Sequence, residues 1–173
     1  MSRGGGIGAA LEAVNLLEGE GLLRRYAVGG AVAVMFHAEP VLTFDLDVFV
    51  LLPAPADGLL DLGPIYRRLE AEGGRAERET VVLHGIPVQL IPAYNALVEE
   101  AVDGALATEF EGTPTRVVGY EHLLAIMVQT GRPKDRERIA SLLAQRPPDE
   151  GALGPILERH GLSDRWREIK GRT

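Results

Sequence analysis

Asp45 and Asp47 are the side chains whose types and spacing point most directly to chemistry. They stand two positions apart in segment 43–52, whose apolar second half predicts a β-strand that is covered on both faces. Alternate residues of a strand leave the same face about 7 Å apart, so the two carboxylates can converge on one point. Carboxylate oxygens in this arrangement suit Mg²⁺ or Mn²⁺, which would offset the cost of burying two like charges. The alternative interpretation is a strand end with two solvated aspartates.

Gly29 and Gly30 lie just upstream, between a short predicted strand over 26–30 and an alanine-rich predicted helix over 31–37. A glycine pair at such a corner lets the backbone approach a ligand closely and directs free N–H groups at a phosphate. A plain turn could use the same residues. The glycine pair therefore indicates a phosphate-binding site only in combination with the aspartates that follow it.

Lys134 belongs to a small cationic cluster with Arg132 and Arg136 near the start of a predicted helix. Such a cluster could neutralise the charge of a triphosphate. The alternative is a capped, solvated helix start after Pro133, with Asp135 placed favourably against the helix dipole. For Asp135 this structural role is favoured, whereas for Lys134 the two interpretations stay open.

Other familiar catalytic patterns do not occur in the sequence. It contains no Gly-x-Ser-x-Gly, no Walker-type loop and no His-Glu-x-x-His, which disfavours serine hydrolase, P-loop and zincin chemistry. The histidines have no partner at the spacing of a zinc pair, so solvated or capping roles are expected for His37, His84, His122 and His160.

The remaining pattern predicts an α+β fold with one mixed sheet. Helices are expected over 7–17, 59–72, 94–102, 120–129, 136–145 and 152–160, the last of which could continue to 169. Strands are expected over 80–84 and 86–91, joined at Gly85 as a candidate antiparallel hairpin, and segment 108–118 is expected to be extended. We expect a single domain over 1–173, with a flexible terminus at 1–6, an α/β core at 7–118 and C-terminal helices at 119–173.

The composition and charge of the chain exclude some classes of protein and disfavour others. The chain has 173 residues, of which 46% are hydrophobic and 25% charged, enough to form a compact core rather than a disordered chain. No apolar run reaches the length of a membrane span, no leader opens the sequence, and there is no cysteine. A net charge of -7 disfavours non-specific nucleic-acid binding. We therefore expect a soluble cytoplasmic protein with no membrane partner.

Two stretches of the sequence resemble the nucleotidyltransferase superfamily. The first pairs a glycine corner with an Asp-x-Asp segment, Val28-Gly29-Gly30-Ala31-Val32-Ala33 followed by Leu42-Thr43-Phe44-Asp45-Leu46-Asp47-Val48. The second is similar to the closing helices of the minimal bacterial branch that contains AbiEii-like toxin proteins, Glu121-His122-Leu123-Leu124-Ala125-Ile126, Gly131-Arg132-Pro133-Lys134-Asp135 and Ile139-Ala140-Ser141-Leu142-Leu143. Together they span roughly residues 22–145.

The resemblance implies a nucleotidyltransferase-like mixed β-sheet flanked by helices, with a helical C-terminal part. It implies that Gly29 and Gly30 contact nucleotide phosphates and that Asp45 and Asp47 hold Mg²⁺ or Mn²⁺. In such enzymes a nucleoside monophosphate passes from a triphosphate to a hydroxyl or phosphate acceptor, and pyrophosphate is released. Thr43 would orient the strand end or contact phosphate.

The sequence departs from the family pattern at several positions. Members usually carry a third carboxylate on a neighbouring strand, and the matching residue here is Gln89, whose amide cannot act as a base. Val41 replaces a common arginine, Met127 replaces a common lysine, and Arg138 stands where the last motif has a second aspartate.

Two hypotheses remain. The first is a metal-dependent nucleotidyltransferase that uses a nucleoside triphosphate and an acceptor that is tRNA, a protein, an antibiotic or another small molecule. The second is a non-catalytic module on the same scaffold that binds nucleotide or a protein partner. A toxin role with an antitoxin partner, and self-association into a homo-oligomer, stay open.

Overall fold

The computed structural model describes residues 6–39, 45–55 and 58–171. In these ranges the chain forms eight helices and seven strands. In chain order they are α1 (Ile7–Gly19), β1 (Arg25–Val28), α2 (Gly30–His37), β2 (Leu46–Leu51), α3 (Gly63–Ala71), β3 (Arg75–Glu77), β4 (Thr80–Leu83), β5 (Ile86–Pro92), α4 (Ala96–Asp103), β6 (Leu106–Phe110), β7 (Thr113–Val117), α5 (Tyr120–Thr130), α6 (Pro133–Gln145), α7 (Glu150–Arg159) and α8 (Ser163–Lys170). The predictions for residues 1–5, Val41 and Thr43 lie outside the described residues.

All seven strands join one mixed sheet in the order β3-β4-β5-β2-β1-β7-β6. The central strand is β2, which runs antiparallel to β1 and parallel to β5. On the far side of β1, the strand β7 pairs in parallel with it. This architecture confirms the predicted α+β class with one mixed sheet flanked by helices.

Alternate residues of β2 face two separate hydrophobic cores. Leu46, Val48 and Val50 are buried in a core that includes α1 and α3, whereas Phe49 and Leu51 are buried in a core built from α4, α5 and the C-terminal helices. Both faces of β2 are therefore covered, as its apolar sequence predicts. Asp47 has the same parity as Phe49 and Leu51, so its side chain leaves the sheet on the α4–α5 side.

The strand predicted over 43–52 is shorter in the structure. β2 begins at Leu46, so Asp45 precedes the strand and Asp47 is its second residue. The expected hairpin at Gly85 is confirmed, because β4 and β5 pair antiparallel. His84 and Gly85 both have positive φ there, +50° and +84°, which is the backbone conformation of tight hairpin turns.

Segment 108–118 was expected to be one extended stretch, but it belongs to two antiparallel strands, β6 and β7. The chain reverses at Glu111 and Gly112, whose φ values are +50° and +82°. Positive φ at both central residues gives a turn that matches the twist of paired strands. Glutamate is an uncommon residue at the first of these positions, so the turn has a weak sequence signal.

Several helix boundaries also differ from the sequence prediction. The helix expected over 59–72 begins at Gly63, and α6 begins at Pro133 rather than 136 because proline fits the first turn of a helix. The continuous helix considered for 152–169 is two helices, α7 and α8, separated at Gly161 with φ +67°. The short, exposed β3 has no counterpart in the prediction.

The C-terminal third is helical, as expected, and its helices pack on the α4–α5 side of the sheet. Leu124, Ile139, Leu153 and Trp166 contribute one buried residue each from α5, α6, α7 and α8 to the same core. Among the helices of the described ranges, none has the length and apolar character needed to cross a bilayer.

Candidate functional site

Asp45, Asp47 and Gln89 line one cavity of about 500 Å³ at the point where β2 begins beside the middle of β5. Asp47 is directly opposite Gln89 in the β2–β5 register, so these side chains leave neighbouring strands on the same face. Asp45 is exposed, whereas Asp47 and Gln89 are half-buried. The structure thus brings together the two predicted carboxylates and the predicted third position.

The glycine corner joins β1 to α2 and lies against the carboxylate pair. The Gly29 amide donates a hydrogen bond to the Asp47 carbonyl oxygen at 2.9 Å, which ties the corner to β2. Gly30 has φ +56°, a conformation that side chains with a Cβ rarely adopt. It also lines the cavity.

Both glycines are required by close packing against β2. A Cβ on Gly30 would lie 2.2 Å from Oδ2 of Asp47, and a Cβ on Gly29 would lie 2.3 Å from the Phe49 ring. These distances are far inside van der Waals contact. The pair therefore has a structural role in seating Asp47, and Gly30 additionally leaves the space above the carboxylate open.

Burial, and then the neighbouring charge of Asp45, raise the pKa of Asp47 above its ordinary value. The positive charges of Lys134, Arg138 and Arg132 act in the opposite direction and partly offset this rise. The folded chain therefore holds a carboxylate at a position where its negative charge is unfavourable. A bound cation would relieve that cost.

The cationic side of the cavity differs in one member from the predicted cluster. Arg132, Lys134 and Arg138 line the cavity, but Arg136 does not. Arg136 instead lines a separate cavity of about 430 Å³ with Arg165 and other residues. The reason is helical periodicity, because positions 134 and 138 share a face of α6 while position 136 points away from it.

Asp135 lines the same cavity but is engaged in structural contacts. Its carboxylate accepts hydrogen bonds from Thr130 Oγ1 at 2.8 Å and from Arg132 Nε and Nη2 at 2.7 and 3.1 Å. Burial raises the pKa of Asp135, but the hydrogen bonds from Arg132 and Thr130 outweigh it, so the pKa is lowered. A structural role was expected, but the residue is buried rather than solvated.

Tyr94 is a cavity residue that sequence reasoning left unassigned. It follows β5, is 54% exposed and lines the cavity together with apolar side chains of α5. Met127 is one of those side chains. The sequence does contain one indication that Tyr94 belongs to the site, because Tyr94 lies shortly after the strand that carries Gln89.

The four histidines are spread over other parts of the described structure, and none lines this cavity. His37 Nε2 lies 2.8 Å from the carbonyl oxygen of Val118. His122 and His160 both contact the Glu100 carboxylate, at 3.0 and 2.8 Å. These contacts are more specific than the solvated or capping roles expected from the sequence.

Glu100 lies at the centre of a polar cluster that joins α4, α5 and α7. Hydrogen bonds from Arg159, and then from His160 and His122, lower its pKa to about 2 against the opposing effect of burial. The cluster connects helices on the C-terminal side of the sheet, and none of its four residues lines the cavity that contains Asp45 and Asp47. It therefore has the character of a structural ion-pair network.

The donor set at the cavity fits a divalent metal whose shell is completed by substrate. Asp45 and Asp47 supply carboxylate oxygens, and Gln89 can supply an amide oxygen. No cluster of three or more His, Cys, Asp or Glu side chains within the described ranges could hold a metal ion through protein ligands alone. Mg²⁺ commonly binds one or two carboxylates together with phosphate oxygens and water, so the residues present fit this group.

Three solved structures resemble this fold over most of its length. The crystal structure of ANT(2'')-Ia in complex with adenylyl-2''-tobramycin has 16% sequence identity and a TM-score of 0.52, and the match covers 94% of this chain and 96% of that one. The solution structure of the antibiotic-resistance factor ANT(2'')-Ia has 16% identity, a TM-score of 0.51 and coverage of 94% of each chain. The crystal structure of an antigenic nucleotidyltransferase-like protein from Paracoccidioides brasiliensis has 14% identity, a TM-score of 0.53 and coverage of 94% and 90%.

No protein-family model matches the sequence, and no curated protein matches it either. At 14–16% identity the similarity to these structures concerns the fold. The AbiEii-like branch stays a prediction from the sequence. The structural comparison therefore gives this chain a nucleotidyltransferase-like fold.

Proposed function

We propose that the protein is a metal-dependent nucleotidyltransferase that moves a nucleoside monophosphate from a triphosphate to an acceptor. The observation that carries the proposal is the convergence of Asp45, Asp47 and Gly30 on one cavity that Lys134 and Arg138 also line. Paired carboxylates and facing cations are the groups that phosphoryl transfer needs for positioning and for neutralising charge.

The residues that line the cavity would bind different parts of the metal-bound nucleotide. Asp45 and Asp47 would hold Mg²⁺ or Mn²⁺, which when bound would polarise the phosphoryl group that is transferred. Lys134, which is exposed at the start of α6, would contact the triphosphate oxygens. Gly30, which lines the cavity, would leave room for the phosphates above the carboxylates, and Gly29 would hold the same corner against β2. Thr43 would contact phosphate or orient the segment before Asp45.

The fold neighbours support this assignment. The crystal structure of ANT(2'')-Ia holds adenylyl-2''-tobramycin, a molecule that carries an adenylyl group. The similarity of the fold covers 94% of this chain and 96% of that one. The acceptor of this chain stays open among tRNA, protein and small molecules. A cytoplasmic location, a toxin role with an antitoxin partner, and a homo-oligomer are further parts of the proposal without a structural observation of their own.

Titration calorimetry with Mg-ATP and Mg-CTP tests the proposal. The wild-type chain should bind at least one of these nucleotides, and Asp45→Asn should abolish the metal-dependent part of the binding. Asp103→Asn is a matched control, because Asp103 is an exposed acid at the end of α4, outside the cavity. Unchanged affinity in Asp45→Asn, or an equal loss in both variants, would contradict the proposal.

A second candidate is a nucleotide-binding or protein-binding module without turnover. The observation that favours it is Gln89, an amide beside Asp47 where the family usually has a carboxylate. Incubation with labelled triphosphates, Mn²⁺ and total RNA or protein extract separates the two candidates. Transferred label supports the enzyme, whereas binding without transfer supports the module.

A further inference from the structure

We propose that the acceptor of this site carries an oxygen that is already ionised, a phosphate monoester or a carboxylate, and that Gln89 and Arg138 bind it. The inference rests on the proposed function and names the substrate class of the same site. Its basis is the juxtaposition of an amide and a guanidinium group on the walls of the cavity that holds Asp45 and Asp47.

Gln89 presents an amide where a proton acceptor would be useful. The β2–β5 register places it directly beside Asp47, on the same face of the sheet, and it lines the cavity. A carboxamide donates through its NH₂ group and accepts through its oxygen, but it does not take up a proton at neutral pH. The position next to Asp47 is therefore suited to holding an acceptor and unsuited to deprotonating one.

Among the described residues, the one further carboxylate that lines the cavity already has hydrogen-bond partners. Asp135 is buried and accepts three hydrogen bonds from Thr130 and Arg132. Within the described ranges, the histidines that could serve as bases make their contacts elsewhere, two of them with Glu100. An alcohol acceptor must lose its proton during transfer, whereas an ionised oxygen needs no base.

Arg138 supplies the charge that such an acceptor requires. It is half-buried, lines the cavity one helical turn after Lys134, and is close enough to Asp47 to influence its charge. In the described part of the chain no ion pair with an acidic side chain uses Arg138, whereas Arg132 is paired with Asp135. A guanidinium group and an amide NH₂ both donate, and an ionised phosphate or carboxylate oxygen accepts from both.

The reaction balances without a base. The ionised oxygen of the acceptor attacks the α-phosphorus of the nucleoside triphosphate and forms a new P–O bond. The bond between the α-phosphorus and the oxygen that bridges to the β-phosphorus breaks, and its electron pair leaves with pyrophosphate. No proton is removed from the acceptor. A phosphate monoester gives a phosphoanhydride product, and a carboxylate gives a mixed acyl anhydride.

The transfer test uses acceptors in matched pairs with α-labelled ATP or CTP and Mn²⁺. Glycerol 3-phosphate is compared with glycerol, glucose 1-phosphate with glucose, and an amino acid with its amino alcohol. We expect label to move to the ionised member of at least one pair and not to its alcohol counterpart. Two mutually coupled ³¹P signals in the product identify a phosphoanhydride, a phosphodiester of an alcohol lacks this coupling, and trapping by hydroxylamine identifies an acyl anhydride. Equal or faster transfer to the alcohols would overturn the inference.

Equilibrium binding gives a readout that does not depend on turnover. Arg138→Gln should weaken the affinity for the ionised acceptor by about tenfold or more, since it removes a charge-assisted hydrogen bond. Arg136→Gln is the matched control, because Arg136 lies on the same helix but lines the other cavity. An equal effect of both substitutions would show long-range charge rather than contact, and would overturn the assignment of Arg138.

Gln89→Glu tests the other half of the inference. It places a proton acceptor beside Asp47 with little change of shape, so it should weaken binding of the ionised acceptor and allow transfer to the alcohol members. If it leaves the preference for acceptors unchanged, while thermal unfolding shows an intact fold, the inference fails. A chain that binds Mn-nucleotide but neither binds nor modifies an ionised acceptor refutes the inference alone. A chain that binds no Mn-nucleotide refutes the proposed function, and the inference with it.

Discussion

Gly30 gives the sharpest test of how the fold seats the carboxylate pair. Substitution by alanine adds a Cβ that would lie 2.2 Å from Oδ2 and 2.9 Å from Cγ of Asp47. Alanine must also adopt the φ of +56° that glycine tolerates. The substitution therefore combines backbone strain with the displacement of a side chain that we place in the site.

The two effects have different sizes and can be separated. A left-handed conformation costs a residue with a Cβ about 1 kcal/mol, and forcing one extra carbon into a packed position adds about 1–2 kcal/mol. At about 2–4 °C per kcal/mol for a chain of this length, Gly30→Ala should lower the Tm by about 4–12 °C. Gly161→Ala should lower it by about 2–4 °C, because Gly161 has φ +67° but open space around its Cβ position.

Thermal unfolding and nucleotide titration are measured on both variants and on Gly30→Ala combined with Asp47→Ala. The combined variant removes the carboxylate that the new Cβ meets, so the extra cost at Gly30 should fall to below about 1 kcal/mol. Gly30→Ala should also lose nucleotide affinity, whereas Gly161→Ala should keep it. If Gly30→Ala matches Gly161→Ala in both Tm and affinity, the close contact with Asp47 does not have the role we give it.

The remaining predictions concern the charged groups. Asp47→Asn should increase the free energy of unfolding by about 0.5–2 kcal/mol at pH 8, because burial chiefly raises the pKa of Asp47. The increase should vanish at low pH, where Asp47 is protonated. A destabilised variant at pH 8 would contradict this prediction. Hydrogen bonds, first from Arg159, lower the pKa of Glu100 from 4.5 to about 2. Glu100→Gln should therefore reduce the free energy of unfolding by about 1–2 kcal/mol above pH 5. Denaturant melts should show this difference shrinking as the pH falls from 4.5 toward 2. Asp135→Asn should reduce the free energy of unfolding by about 2 kcal/mol, because it weakens a buried, charge-assisted pair with Arg132. The Tm should fall by roughly 4–8 °C. A Tm within about 1 °C of the wild type would refute the structural role of Asp135.

Much of the site could be predicted from the sequence because it lies on elements with strong local signals. The apolar run after Asp47 identifies a central strand, and the period of two in a strand predicts that Asp45 and Asp47 lie together. In the structure both line the cavity, although Asp45 precedes the strand. The position of Gln89 follows from its place in the next long strand. The parallel pairing that sets Asp47 opposite Gln89 is a tertiary property, and it agrees with the position that the family resemblance suggested.

The sequence was less informative where the outcome depends on packing. The Gly29–Gly30 corner could be identified, but its close contact with Phe49 and Asp47 depends on how β1 meets β2. Arg136 was grouped with Lys134 by proximity in sequence, although helical spacing alone favours Arg138. The burial of Asp135 depends on its ion pair with Arg132 at the start of α6, which offsets the cost of removing a carboxylate from water.

The central claim is that Asp45 and Asp47 hold a metal-bound nucleotide in this cavity. The most direct measurement is a crystal structure with Mn²⁺ and a non-hydrolysable triphosphate, using the anomalous signal of manganese. We predict a manganese peak within coordination distance of both carboxylates, with the triphosphate lying between Gly30 and Lys134. A nucleotide bound in the cavity of Arg136, or a manganese peak away from Asp45 and Asp47 at saturating nucleotide, would contradict the account.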